Sequence, residues 1–225
     1  MLCIGHRGAM GHEPENTLLS VRKAIALGVD AVEVDVHNVE DNLVVIHDRD
    51  LARTTNGKGY IEASSFDYLR SLDAGQGEQV PTLEEVFETV NRHALINIEL
   101  KGSNTAELMV DAIHAYIDRG WTYSDFVVSS FNHYELARVK AACADLTTGM
   151  LIYGLPWDYL TAARELQADI IIPALDYVSQ DLVRSIQQQG QQVWVYTVNK
   201  IEDIKLMRTW AVDAVFTNYP ERVLR

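Results

Sequence analysis

The sequence predicts a (β/α)₈ barrel, and three observations support that prediction. Short runs rich in β-branched residues alternate with amphipathic helical segments along the 225 residues. Most of these runs are apolar throughout, as parallel strands covered on both faces are. Eight strand–helix units in one chain are typical of this barrel, although 225 residues is slightly short for it. A doubly wound open sheet is the alternative, but no Gly-x-Gly-x-x-Gly pattern follows the first strand.

The predicted strands begin almost at the first residue, so we expect no signal peptide. We expect "LVVIHD" to pair beside "AVEVDVH" instead of forming a unit of its own, so that eight units remain. In chain order the runs are "LCIGH", "AVEVDV", "LVVIHD", "LINIELK", "DFVVSSF", "TTGMLIY", "DIIIPA", "QVWVYTV" and "DAVFTN".

Two of the predicted helices carry clear end signals. "NTLLSVRKAIALG" begins with Asn and Thr and ends at Gly28. "TLEEVFETVNRH" follows Pro81, and Thr82 stands three residues before Glu85, which is the pattern of a capping box. Further helices are predicted at about 105–119, 133–143, 158–167, 180–189 and 201–210.

The interval 48–80 interrupts this alternation. It contains no long helical pattern, but it has turn signals at "TNGKG" and "DAGQG". A loop of this length is usually functional or a small subdomain. We therefore expect a small insertion after the second strand region, within a single domain that spans residues 1–225.

The composition limits the partners of the protein. A net charge of −13 disfavours nucleic acids and anionic lipid surfaces. No apolar run reaches the ~18 residues needed to span a bilayer, so we expect no stable membrane insertion. Cys3 and Cys143 are the only cysteines, and we expect reduced thiols in a cytoplasmic protein. The sequence does not indicate an oligomeric state.

Three acidic residues are expected to meet at the carboxyl ends of two strands. Glu33 and Asp35 alternate with valines in "AVEVDVH", and Glu99 occupies the equivalent face of "INIELK". Two like charges 4 Å apart repel by ~4 kcal/mol at an effective dielectric constant near 20. The three carboxylates must therefore become protonated, pair with cations such as Arg7 and Lys101, or hold a metal. An all-oxygen ligand set suits Mg²⁺ or Ca²⁺.

Histidines and cations accompany these acids at the strand ends. His6 and His47 each close a strand, and a histidine pair can supply a general base and a general acid. Arg7 and Lys101 can bind a phosphate or form salt bridges with the acids. The combination favours phosphoryl chemistry. Five other histidines lack such a context and are interpreted as structural or surface residues: His12, His37, His93, His114 and His133.

A series of short motifs resembles the glycerophosphodiester phosphodiesterase family. In order they are "HRG", "PENT", "EVDV", "VIHD", "RTTNGKG", "LDAG", "PTLEEV" and "IELKG", from His6 to about Gly102, with weaker matches at "VYTVN" and "FTNYP". The resemblance implies a (β/α)₈ barrel with a small insertion. It also implies hydrolysis of a small-molecule glycerophosphodiester to sn-glycerol 3-phosphate and an alcohol.

The same resemblance implies a role for each matching residue. It makes Glu33, Asp35 and Glu99 the ligands of a divalent metal. The histidines, His6 and His47, become the acid and base. The phosphate would be bound by the two cations, Arg7 and Lys101.

Two positions depart from the family pattern. Tyr196, which we expect in the substrate pocket, stands where the family usually has tryptophan, and Asn218 stands where it usually has aspartate. We expect both changes to affect substrate preference and not the reaction.

Three other functions are compatible with these residues. A lysophospholipase D-like phosphodiesterase would need an apolar groove for an acyl chain. A metal-dependent lyase or aldolase would need a base beside the metal but no second histidine. A non-catalytic binding module is disfavoured because both histidines and all three acids are present.

Overall fold

Eight parallel strands close into a barrel in the computed structural model, which describes residues 1–225. The barrel closes because the first strand pairs with two neighbours, through Leu2 with Ala214 on one side and Ile4 with Ala31 on the other. The strands are β1 (Leu2–Gly5), β2 (Ala31–Val39), β3 (Asn42–Val45), β4 (Leu95–Leu100), β5 (Phe126–Ser130), β6 (Thr147–Ile152), β7 (Ile170–Pro173), β8 (Gln192–Val195) and β9 (Ala214–Thr217).

Strand β3 is the one strand outside the barrel wall. It pairs antiparallel with the end of β2, with Val45 opposite Val36. This confirms the expectation that "LVVIHD" lies beside "AVEVDVH" and forms no unit of its own. The open-sheet alternative is wrong because β1 and β2 are paired.

Helices follow the barrel strands, close to the predicted segments. The first is capped by the Thr17 side chain and ends at Gly28, whose φ of 87° suits glycine. The helix after Thr82 has the predicted capping box with Glu85. The helices are α1 (Leu18–Leu27), α2 (Phe66–Arg70), α3 (Leu83–Val90), α4 (Ala106–Ile117), α5 (His133–Ala142), α6 (Tyr159–Glu165), α7 (Gln180–Gln187), α8 (Ile201–Thr209) and α9 (Pro220–Val223). None of them has the length and apolar character required to cross a membrane.

The apolar core has two main parts. A cluster of 45 buried residues packs the strands against the helices, and it includes Val32, Val34 and Val36 of β2. A separate cluster of nine buried residues fills the barrel interior, among them Ile4, Ile172 and Trp194, and the partly buried Leu95 of β4 packs against it. Because side chains alternate along a strand, Glu33 and Asp35 point into the barrel, toward its carboxyl end.

The segment 48–80 packs beside the carboxyl end of the barrel. It contains two short helical turns, at Leu51–Arg53 and Ile61–Ala63, followed by α2. Its apolar side chains pack with β3 residues such as Val44 in a third cluster. The segment therefore has a core of its own next to the strand that leads into it.

Candidate active site

The three acidic side chains meet at the carboxyl end of the barrel. Asp35 of β2 is in register with Glu99 of β4, and Glu33 lies one layer deeper. Each residue offers an oxygen within 4.8 Å of the other two. Glu33 and Asp35 are 1 % exposed, and the Glu99 side chain is 12 % exposed. The strand alternation thus brings together the three carboxylates that the sequence singled out.

This crowding makes ionisation of the acids unfavourable in the metal-free protein. Burial, followed by repulsion from Asp35 and Glu99, raises the pKa of Glu33 well above its usual value. Burial and the Asp35 charge raise the pKa of Glu99 to about 7. Such a cluster needs added positive charge to hold all of its carboxylates ionised at neutral pH.

Glu33 and Asp35 each have one carboxylate oxygen in a hydrogen bond and one without a hydrogen-bond partner. Glu33 Oε2 accepts from the backbone N–H of Arg7 at 2.7 Å, and Asp35 Oδ2 accepts from Asn16 Nδ2 at 2.8 Å. The other two oxygens, Glu33 Oε1 and Asp35 Oδ1, are buried without a hydrogen-bond partner. Two such oxygens beside a third carboxylate fit a hard divalent cation, so the acidic cluster is compatible with a divalent metal site.

Both predicted cations are in contact with the acidic cluster. Arg7 Nε lies 3.3 Å from Asp35 Oδ2, while its Nη1 donates to Glu15 Oε1 at 2.7 Å. Lys101 Nζ lies 2.9 Å from Glu99 Oε1 and 4.0 Å from Asp35 Oδ1. Burial alone would lower the pKa of Lys101, but Glu99 and Asp35 outweigh it and raise that pKa. The salt bridges that the sequence allowed are therefore present in this structure.

The backbone turn after β1 positions Arg7. Gly8 has a φ of +80°, and its N–H donates to the Glu33 carbonyl at 3.1 Å. A Cβ atom at this position would lie 2.3 Å from Ser20 Oγ. Only glycine fits this turn, which explains the third letter of "HRG".

His6 is held through its Nδ1 atom, which lies 2.8 Å from Asn218 Oδ1. The amide oxygen accepts, so Nδ1 carries the proton and Nε2 carries the lone pair. Burial and then the nearby Arg7 charge lower the pKa of His6 to about 4. His6 is therefore neutral at physiological pH.

His47 has the same arrangement with different partners. Its Nδ1 lies 2.5 Å from Asp48 Oδ1, and its Nε2 lies 3.2 Å from Lys101 Nζ. An ammonium group can only donate, so Nε2 carries the lone pair and Nδ1–H donates to Asp48. Arg53 bonds Asp48 from the other side. His37, interpreted above as structural, bonds the backbone carbonyl of His47 at 3.2 Å.

Tyr196 forms an aromatic wall at the edge of the site. Its hydroxyl donates to the Ile152 carbonyl at 3.1 Å, and its ring meets the Phe131 ring edge-on at 5.6 Å. Lys101 Nζ lies 5.6 Å from the centre of the Phe131 ring. The Tyr196 hydroxyl is thus engaged by the backbone of the protein.

Several contributing residues were not assigned a role from the sequence. Glu15 and Asn16 belong to the "PENT" motif, which could have drawn attention to them. Asp48 directly follows His47, which is a local signal. Asn218 was considered only for substrate preference, yet its amide oxygen is hydrogen-bonded to His6 Nδ1.

Comparisons with known proteins agree with this geometry. The model of the glycerophosphoryl diester phosphodiesterase family matches residues 6–222. A glycerophosphodiester phosphodiesterase of Caldanaerobacter subterraneus subsp. tengcongensis is 34% identical over 99% of this chain and 96% of its own length. One of Bacillus subtilis is 31% identical over 98% of this chain and 84% of its own length.

Solved structures resemble the whole barrel. A phosphodiesterase of Oleispira antarctica, solved in complex with the product sn-glycerol-3-phosphate, superposes with a TM-score of 0.92 at 29% identity. The match covers 100% of this chain and 95% of that one. These matches favour the phosphodiesterase interpretation over the lyase and the binding module. The chain belongs to the glycerophosphoryl diester phosphodiesterase family, whose enzymes hydrolyse phosphodiester bonds.

Proposed function

We propose that the protein hydrolyses small glycerophosphodiesters to sn-glycerol 3-phosphate and an alcohol. The observation that carries this proposal is the pair of histidines, each with Nδ1 anchored and Nε2 unprotonated, beside the acidic cluster. The family membership and the product bound to the Oleispira antarctica enzyme support the same substrate class.

In this proposal Glu33, Asp35 and Glu99 hold one Mg²⁺ or Ca²⁺ ion. The unpartnered Glu33 and Asp35 oxygens support this assignment, and oxygen donors alone favour a hard cation over zinc. Bound there, the ion would neutralise the carboxylates and polarise the phosphate. Arg7 and Lys101 bind the phosphate oxygens, and Tyr196 lines the pocket.

We propose that the two histidines transfer the protons. One takes the proton of the glycerol C2 hydroxyl at its unprotonated Nε2 as the hydroxyl oxygen attacks phosphorus. The other, which has first gained a proton from water at Nε2, gives that proton to the departing alcohol as its P–O bond breaks. Water then opens the cyclic phosphate with the two roles exchanged. Holding the hydroxyl beside phosphorus makes the attack intramolecular, which can supply ~7–11 kcal/mol of the barrier.

Release of glycerol 3-phosphate from glycerophosphocholine tests the proposal. His6→Ala and His47→Ala should each lower kcat by at least about 100-fold, the usual contribution of a general acid or base. His93→Ala, which removes an exposed histidine, should retain the wild-type rate. A substrate analogue without the C2 hydroxyl should bind but hardly react. Near-normal hydrolysis of that analogue would instead indicate direct attack by water.

We also propose that residues 1–225 act as one catalytic domain in the cytoplasm. The contacts of Asp48 and Arg53 with His47 and Glu15 support a single unit, because they join the segment 48–80 to the barrel site. Cys3 and Cys143 are free and buried, which suits a reducing compartment. The net charge of −13 supports a small-molecule substrate and no nucleic acid partner.

A further inference from the structure

An unusual group of exposed apolar side chains borders the candidate active site. The protein has thirteen large apolar side chains that are exposed, and six of them lie on the segments that follow β5, β6 and β7. The exposed fraction reaches 100 % for Trp157 and 85 % for Tyr134. We call this group the aromatic ledge; it comprises Phe131, Tyr134, Tyr153, Leu155, Trp157 and Tyr177.

The aromatic ledge meets one cation of the site, Lys101. Lys101 Nζ lies 5.6 Å from the Phe131 ring, which packs edge-on against Tyr196. The Tyr196 hydroxyl bonds the carbonyl of Ile152, the residue before Tyr153. Phe131 and Tyr196 therefore connect Lys101 to the backbone at Ile152, directly before Tyr153.

The outer part of the ledge is apolar and carries no positive charge. Tyr153 packs edge-on against Tyr177 with ring centres 5.3 Å apart. Segments 131–134, 153–159 and 174–178 contain no lysine or arginine, and Asp158 and Asp176 are their only acidic residues. This charge distribution disfavours an anionic ligand or an anionic membrane surface.

We propose that the aromatic ledge binds a hydrocarbon chain of the substrate, so that the enzyme prefers glycerophosphodiesters that carry an alkyl or acyl chain. The proposal rests on the proposed function and names its substrate class. A quaternary ammonium group fits less well. The Tyr153 and Tyr177 rings contact each other, and the aliphatic Leu155 side chain has no aromatic face for a cation–π contact. Covering exposed apolar side chains beside a site with an apolar ligand is favourable, because apolar surface is removed from water.

Four substrates with one reacting centre test the proposal. They are the ethanol, octanol and choline esters of sn-glycerol 3-phosphate, and the ethanol ester with an octyl ether on glycerol C1. The octanol ester tests a chain on the leaving alcohol, and the octyl ether tests a chain on the glycerol. All are used well below the concentration at which the octyl compounds form micelles.

For the wild-type enzyme we expect kcat/KM of one octyl compound to exceed that of the plain ethanol ester by at least about tenfold. Burial of only two CH₂ groups supplies that factor. In the double variant Leu155→Ala/Trp157→Ala the preference should fall to within about twofold, while hydrolysis of the plain ethanol ester is unchanged. Leu206→Ala, an exposed leucine of α8 outside the ledge, should retain the full preference.

The alternatives give different results. Equal rates for the ethyl and octyl compounds, or a preference for the choline ester over both, would overturn the ledge proposal and leave the proposed function intact. Failure to hydrolyse any of the four would instead refute the proposed function. In that case fluorescence quenching by a non-hydrolysable octyl phosphonate still tests chain binding. The wild type should be quenched more than Trp157→Phe, and equal quenching of the two proteins would overturn the ledge proposal. Trp157-dependent binding to phosphatidylcholine vesicles without an octyl preference would identify a membrane surface as the occupant, against the proposal.

Discussion

His6 Nδ1 and Asn218 Oδ1 lie 2.8 Å apart, although 212 positions separate the two residues in the chain. The contact forms because the closing strand β9 lies directly beside β1, and each residue immediately follows its strand. A neutral amide orients the imidazole without adding a negative charge. Burial and the Arg7 charge therefore dominate the environment of His6, with Asp35 and Glu15 as the nearby acids.

We expect Asn218→Asp to raise the pKa of His6, because a carboxylate beside Nδ1 stabilises the imidazolium. The limb of the kcat/KM–pH profile that reports His6 should move upward by about one unit or more. Movement of the acidic limb identifies His6 as a base, and movement of the alkaline limb identifies it as an acid. Asn218→Ala should lower kcat without this shift. An unchanged profile in Asn218→Asp would show that Asn218 does not act on the chemistry of His6.

Removal of the divalent ion should abolish activity, because the proposed mechanism needs charge beside the phosphate. Chelation followed by addition of Mg²⁺ or Ca²⁺ should restore the rate, and each restoring ion should raise the Tm of the chelated protein. Glu33→Gln should lose the Tm increase, whereas Glu62→Gln, at an exposed acid of the segment 48–80, should keep it. Full activity in a sample shown to be metal-free would contradict the metal assignment.

The Glu99 carboxyl should contribute less to the stability of the metal-free protein as the pH rises. The ordinary pKa of Glu99 is 4.5 and its folded value is about 7, so the folded state holds more protons than the unfolded chain between these values. The free energy of unfolding contributed by Glu99 therefore falls across this window, by on the order of 3 kcal/mol. His6 acts in the opposite direction between about pH 4 and 6.5.

Urea unfolding in a chelator at pH 5 and pH 8 measures this effect. Glu99→Gln keeps His6 but lacks the titrating carboxyl, so the variant should gain stability relative to wild type at pH 8 and much less at pH 5. Addition of Mg²⁺ or Ca²⁺ at pH 8 should stabilise the wild type. A difference between variant and wild type that does not depend on pH would contradict the raised pKa.

Loss of Arg7 or Lys101, the two proposed phosphate-binding cations, should lower kcat/KM about 30- to 1000-fold, which corresponds to the ~2–4 kcal/mol of one preorganised donor. Arg7→Ala and Lys101→Ala are the test variants, and Lys58→Ala, an exposed lysine, is the control. Wild-type kcat/KM in Lys101→Ala would make Lys101 a partner of Glu99 alone.

Gly8→Ala should damage the site through the backbone. The added Cβ would meet Ser20 Oγ at 2.3 Å, and the φ of +80° is unfavourable for alanine. The turn would have to shift, and with it the Arg7 N–H that bonds Glu33. We expect a lower Tm and weaker binding of the restoring metal ion. Gly77→Ala, which has the same φ but open space around its Cβ, should lower the Tm without weakening metal binding. Unchanged metal binding in Gly8→Ala would show that this turn does not support the acidic cluster.

Local patterns predicted much of this architecture. The alternation of "AVEVDVH" correctly placed Val32 and Asp35 on opposite faces of the strand, because a strand has only two faces. The capping box at Thr82 needed only four residues of sequence. Such features depend on neighbours in the chain, so they can be recognised without knowledge of the fold.

The supporting contacts could not be predicted in this way. Asn16 reaches Asp35 across 19 positions, and Asn218 reaches His6 across the closed barrel. The aromatic ledge is assembled from three separate segments, and none of them shows by itself that it lies beside the others. These contacts depend on barrel closure and on loop conformation, which leave no periodic trace in the sequence.

Glu15 has a consequence for how the site could respond to substrate. Its two oxygens bond Arg7 and also Arg53, an arginine of the segment 48–80. If Arg7 turns toward a phosphate, Glu15 keeps one arginine partner and does not become an isolated charge at 11 % exposure. Arg7 can thus exchange Glu15 for a phosphate, while Arg53 stays paired with Glu15 and balances its charge.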